Sequence, residues 1–183
     1  MNYYGSKELA DSFRTVRKNT LIVAQDIGEE HYGFTPAPGN RTVAQLLIHI
    51  ALSTKFAEQI HGIEKLTTFE GFNFPALFAP IAAAEQSPHT KAEIIKLLQE
   101  NGENFASWLE TLTDEFLGER VTMMAGATPS ARTRFDMLLS TKEHEMHHRG
   151  QLMLIERMVG VVPHLTREMQ ARMAAMQSKP ATA

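Results

Sequence analysis

Cysteine is absent from the 183-residue chain, and that one gap removes several kinds of chemistry. No disulfide frame, thiolate zinc knuckle, iron–sulfur cluster or cysteine nucleophile can be built, so a metal site has to draw on His, Asp or Glu. Charge of one sign is scarce too: a formal net charge of −3 sets up no field of the kind that gathers nucleic acid. No segment approaches the roughly 18 continuous apolar residues of a membrane span. The opening MNYYGSKELADSF is polar and lacks the basic-then-apolar order of a secretory signal. The expectation is a soluble cytoplasmic protein with no nucleic-acid or membrane partner. What is present is ample apolar material, 43% against 21% charged, in a chain of single-domain length. Ten methionines suit the gaps of a core, whereas eight histidines need an account.

Strand-like alternation is missing as well, and helical periodicity occupies four stretches instead. The first covers residues 6–27, with Leu9, Phe13, Val16, Val23 and Ile27 on one stripe and Gly28 closing it. The second opens where Thr42 and Gln45 have capping-box spacing and runs to about residue 62. The third opens on a similar box, Thr90 and Glu93, and carries Ile94, Leu98, Phe105 and Leu109. Its Gly102 costs about 1 kcal/mol against Ala. The fourth starts near Thr128-Pro129 and ends at Gly160. Four amphipathic helices hide their stripes best around a shared axis, which gives an all-α four-helix bundle. The link 63–89 is long enough to return past a helix of about 30 Å, which allows the second and third helices to run parallel, but the 113–127 link is also long enough to cross and length alone leaves the order open. It holds Phe69, Phe72, Phe74 and Phe78, too apolar for a free linker, and is expected to fold over the bundle. Leu165, Met169, Met173 and Met176 suggest a short accessory helix. The domain therefore spans 1–176, with a mobile tail at 177–183.

The histidines interrupt the apolar stripes. With His144 at zero on the fourth helix, His148 falls at about 40°, Gln151 at about −20° and Ile155 at about 20°. On the second helix, His49 lies between Phe56 at about −20° and Ile60 at about 20°. A core-facing imidazole must satisfy a donor and an acceptor away from water. Histidines four apart on a helix are close enough for both rings to bind one ion, and His49 can approach it from a neighbouring helix. His49, His144 and His148 are thus candidate ligands of a divalent cation, with positions left open for water or substrate. The competing reading is a set of hydrogen-bonded core histidines. Gln151 and Thr141 lie over the same stripe, and His147 at its edge; these three are candidates to orient a ring or a bound water. His31, His61, His89 and His164 fall in loops or off the core face and carry no assignment.

Local motifs overlap on these residues. His144-Glu145-Met146-His147-His148 matches H-E-x-x-H, in which the Glu is the general base of a metallohydrolase. The longer metzincin form is missing, and no strand is available to align a peptide. Glu145 borders the stripe and is either that base or an exposed helix-surface residue. Glu145-x-x-His148 with Glu58-x-x-His61 also imitates a di-iron signature, but the second copy faces solvent on an α-helical wheel. A wider match is the segment His144-Glu-Met-His147-His148-Arg149-Gly150-Gln151-Leu152 preceded by Arg41-Thr-Val-Ala-Gln45-Leu-Leu-Ile-His49-Ile-Ala. This pair resembles the signature of the DinB/YfiT-like superfamily, over nearly the whole chain to about residue 160.

The resemblance implies an up-down-down-up bundle holding one divalent metal, zinc or nickel, on residues matching His49, His144 and His148. It also implies homodimers and an activity such as transfer of a low-molecular-weight thiol to a small electrophilic substrate. A second apolar strip on the fourth helix, Phe135, Leu139, Met146 and Met153, faces away from the histidines and needs cover, either from the C-terminal segment or the Phe-rich link or from a second subunit. A non-catalytic metal-binding or stress-associated bundle protein, and an H-E-x-x-H hydrolase, remain as alternatives.

Overall fold

The computed structural model describes residues 4–177. Four long helices make the bundle: α1 (Ser6–Asp26), α2 (Val43–Ala57), α4 (Lys91–Glu110) and α6 (Arg134–Met158). Between α2 and α4 the chain forms α3 (Phe74–Gln86), and between α4 and α6 it forms the one-turn α5 (Asp114–Gly118) with β1 (Arg120–Thr122) and β2 (Ala131–Thr133). The accessory helix α7 (His164–Gln177) follows Pro163. Apart from Gln177, the tail expected at 177–183 lies outside the described residues.

Both capping boxes form. Thr42 Oγ1 accepts from the Gln45 amide at 3.2 Å while Gln45 Oε1 accepts from the Thr42 amide at 2.9 Å. Thr90 and Glu93 repeat the exchange at 3.3 and 2.8 Å. The direction of each helix follows from what meets at the two ends of the core. Val23 of α1 and Ile27, which caps it, pack with Val43 and Leu47 of α2, Ile94 of α4, and Leu152 and Ile155 of α6. At the other end, Leu9 and Phe13 meet Ala57, Phe105, Leu109 and Leu138. The end of α1 therefore adjoins the starts of α2 and α4 and the end of α6, which is the up-down-down-up order. The Phe-rich link does fold over the bundle: α3 lies along α2, Phe78 stacking on Phe56 with ring centroids 5.3 Å apart.

At mid-height, Arg17 binds all four long helices together. Its Nε and Nη2 donate to Glu145 of α6 at 2.9 to 3.1 Å, its Nη1 to the Leu98 carbonyl of α4 at 2.6 Å, and its Nη2 to the Ile50 carbonyl of α2 at 3.4 Å. Gly102 leaves the room this needs, since a Cβ there would stand 2.7 Å from Arg17 Cγ.

Three expectations are corrected. The fourth long helix starts at Arg134, with Thr133 Oγ1 capping the Asp136 amide at 3.1 Å, because Thr128-Pro129 lies between β1 and β2. Those antiparallel strands pair only three residues each, Arg120 opposite Thr133, too short to display a period of two. The apolar strip on α6 is largely covered within the chain. Phe135 sits edge-on to Tyr4 and, with Leu139, packs on one end of the core, while Met153 packs on the other. Met146 alone of the four is well exposed, at 43%. Among the described residues no helix is long and apolar enough to cross a membrane.

Candidate metal centre

α2 and α6 are neighbours, and their facing stripes bring His49, His144 and His148 together. His144 Nε2 lies 3.1 Å from His49 Nε2 and 3.1 Å from His148 Nε2. One nitrogen from each of the three rings falls within 4.8 Å of the others. Nitrogens bound at 2.0–2.1 Å to one ion stand roughly 3 to 3.4 Å apart, so the spacing fits a shared cation.

The outer nitrogens decide which way the lone pairs point. His49 Nδ1 is 2.7 Å from Glu85 Oε1, and a carboxylate only accepts, so the His49 proton sits on Nδ1. Glu85 is itself held by Arg41, whose Nε donates to Oε2 at 2.7 Å. His148 Nδ1 donates to Gln151 Oε1 at 2.8 Å, and Gln151 Nε2 in turn donates to His147 Nε2 at 3.3 Å. His49 and His148 therefore both aim an Nε2 lone pair at His144 Nε2. A single N–H on His144 can satisfy only one of them, and buried His144 Nδ1 has no partner at all. A cation would be shared by all three lone pairs at once, whereas hydrogen bonding alone leaves one unpaired. Burial, reinforced by His148 and His49, lowers the His144 pKa to about 4, and burial also lowers that of His148. Both rings are neutral at neutral pH, as metal ligands must be.

The remaining candidates sort differently. Gln151 orients His148, His147 holds Gln151 from the exposed side, and Thr141 lines the cavity beside His144. Glu145 is a correction: it is neither base nor surface residue, but fully buried with both oxygens engaged by Arg17, turned toward α1. The H-E-x-x-H mechanism has no general base without it. His61 is a second correction, buried rather than solvent-facing, at 2% exposure. The chain passes from α-helix into a π-helical segment at Glu58–Ile63, and the wider turn carries His61 off its α-helical bearing. Glu58 instead pairs with Lys55 at 2.8 Å, so no second carboxylate–imidazole set forms.

Glu85 and Arg41 escaped the sequence reading. The available signal was weak: Glu85 is the one charged residue in FPALFAPIAAAEQ, a helix whose other residues are apolar except Gln86.

A profile of the DinB superfamily matches residues 12–152. The uncharacterized protein YjoA of Bacillus subtilis (strain 168) is 23% identical over 155 residues, which is 85% of this chain and 91% of YjoA. The chain superposes on the crystal structure of that DinB-like protein with a TM-score of 0.60 at 24% identity, covering 84% of this chain and 92% of the other. It also superposes on YfiT from Bacillus subtilis with a TM-score of 0.65 at 16% identity, covering 88% and 91%. YfiT is described as a probable metal-dependent hydrolase with an unusual four-helix bundle topology.

Proposed function

The chain belongs to the DinB superfamily, and on that premise we propose that it is a divalent-metal-dependent enzyme that transfers a low-molecular-weight thiol to a small electrophile. The observation that carries the reading is the convergence of three Nε2 atoms, two of them held as lone pairs by Glu85 and Gln151. His49, His144 and His148 would hold the ion, zinc or nickel. When bound, such an ion supplies Lewis acidity toward a thiol or water at neutral pH. Glu85 keeps His49 in one tautomer and offsets the charge of Arg41, while Gln151 fixes the bearing of His148. With no cysteine in the chain, the sulfur has to come from a second molecule. The same reading places the protein in the cytoplasm, where small thiols are kept reduced, and gives it a second copy of itself as partner.

The test begins with elemental analysis of protein purified without an affinity tag. About one zinc or nickel per chain is expected, lost in His144→Ala while the circular dichroism spectrum stays helical. A folded wild-type protein that takes up neither metal ends the reading. The metal-loaded protein is then screened with thiols and electrophiles, with thiol consumption as the readout. The description of YfiT favours a second reading, hydrolysis: turnover without added thiol selects it, and bound metal with no turnover selects a non-catalytic role.

A further inference from the structure

A cavity of about 710 Å³ opens beside His49 and His144, within the ordinary range for a small-molecule site. Its walls are chiefly aromatic and aliphatic. Phe56 of α2 stacks on Phe78 of α3, Phe78 stacks on Phe74 with centroids 6.2 Å apart, and Ile81 and Met137 extend the surface. Most polar groups on the lining are already engaged. Arg41 is paired with Glu85, and Arg132 donates to Asp136 at 2.5 Å and to Ser140 at 2.7 Å. The Ser53 and Ser140 hydroxyls donate to backbone carbonyls at 2.8 and 3.0 Å. Each guanidinium thus has its own carboxylate, so away from the histidine cluster the lining leaves no unpaired charge to receive a charged ligand, which would give up its water there without return.

His61 is different. Its Nδ1 lies 3.1 Å from Arg134 Nη1. A guanidinium cannot accept, so Nδ1 accepts and the ring's proton sits on Nε2. Arg134 cannot move away to release it, being 1% exposed, with Nε on Glu119 at 2.7 Å and Nη2 on the Lys65 carbonyl at 3.2 Å. His61 lines the cavity, and Nε2, the ring nitrogen that Arg134 does not engage, is the polar atom it offers there. Burial and the adjacent Arg134 charge lower its pKa to about 4, so the donor is an uncharged imidazole at neutral pH.

We propose that this chamber takes an uncharged aromatic small molecule carrying a hydrogen-bond-accepting oxygen, and that His61 Nε2–H holds that oxygen and sets the specificity. The inference rests on the chamber being the substrate site of the proposed enzyme, and it names the class of electrophile. The probe is 6-propionyl-2-(dimethylamino)naphthalene, an uncharged aromatic ketone whose emission moves to longer wavelength when its oxygen accepts a hydrogen bond. Titration is run on chelator-stripped and on zinc-loaded protein, with elemental analysis alongside. Saturable one-to-one binding is expected in both. His61→Phe should weaken it about fivefold, the value of one neutral hydrogen bond, and shift the bound emission to shorter wavelength. His61→Gln, which can accept from Arg134 and still donate, should stay within about twofold of wild type. No saturable binding, or His61→Phe matching wild type in affinity and emission, overturns the proposal. Should His61→Phe not fold, nitrogen-15 NMR of the wild-type ring decides: an Nε2–H tautomer supports the proposal and an Nδ1–H tautomer overturns it. Binding with these signatures in protein that elemental analysis shows takes up no zinc on loading supports the chamber and counts only against the metal reading.

Discussion

Glu85 decides the state of a ring it does not share a helix with. Replacing it by Gln removes the charge that holds the His49 proton on Nδ1 and leaves Arg41 without its partner, but Glu85, though buried, sits on α3 outside the four long helices and the Arg41 side chain is half exposed to water. Glu85→Gln is expected to weaken zinc binding by roughly 10- to 100-fold, measured by competition with a chelating dye, with little change in unfolding midpoint. Unchanged affinity would mean that His49 needs no fixed tautomer. His49, His144 and His148 were legible because they break apolar stripes at helical spacing. Glu85 was not, because the apolar pattern of the link shows that it folds over the bundle but not which residue of α3 then faces His49. Glu156 supports a second prediction. It is fully buried on α6, neither oxygen has a partner, and burial, then Asp26, pushes its carboxyl up to about 7. Between the ordinary value of 4.5 and about 7 the folded state keeps a proton that the unfolded chain has lost, so this group's contribution to stability declines as pH rises through that window. Glu156→Gln should be more stable than wild type at pH 8 by on the order of 2 to 3 kcal/mol, with the gain shrinking toward pH 5. Urea unfolding at the two pH values reads the difference; a gain that grows toward pH 5 contradicts the assignment.

Helices were read well where capping and periodicity agreed, and less well where neither applied. The boxes at Thr42 and Thr90 sit where their spacing puts them. The hairpin of β1 and β2 was hidden because three residues per strand carry no period, and His61 was misplaced because an α-helical wheel cannot represent a π segment. Gly102 was read as a flaw in its helix and is a requirement of packing. Gly102→Ala gains about 1 kcal/mol of helix propensity but puts a Cβ 2.7 Å from Arg17 Cγ and 3.0 Å from Nη1. Arg17 cannot swing aside without leaving Glu145 buried and unpaired, so the substitution is expected to be destabilising by about 1 to 3 kcal/mol. Gly150 in α6 is the control. A Cβ there meets nothing within 4 Å, and Gly150→Ala should stabilise by about 0.5 to 1 kcal/mol. Chemical unfolding of the pair separates a glycine kept for space from one that is only tolerated. Equal signs for both would show that Arg17 adapts more readily than its hydrogen bonds suggest.

At the scale of the molecule, the four bundle helices pack against one another, and much of the exposed apolar surface among the described residues lies on α7 and the end of α6, with Ile63 and Met124 exposed elsewhere. Leu154 is 60% exposed, Met158 51%, Met169 65%, Met173 55% and Met176 73%. Methionine adapts to whatever meets it, and a run of such side chains on one accessory helix is more than the scattered apolar exposure of an ordinary surface. A second copy of this chain is the proposed occupant, and a two-fold arrangement would place the same helix on both sides of the contact. Phe135 and Leu139 offer less surface for such a contact, since both are partly buried against one end of the core. The dimer should therefore depend on α7 and not on the outer face of the early α6 turns. Sedimentation of the wild-type protein at tens of micromolar is expected to give a dimer, converted to a monomer by Met169→Glu with Met173→Glu. Neither position touches the His49, His144 and His148 cluster, so metal content and helicity should survive the substitution. A wild-type protein that sediments as a monomer throughout, or a double variant that stays dimeric, would move the contact elsewhere or remove it.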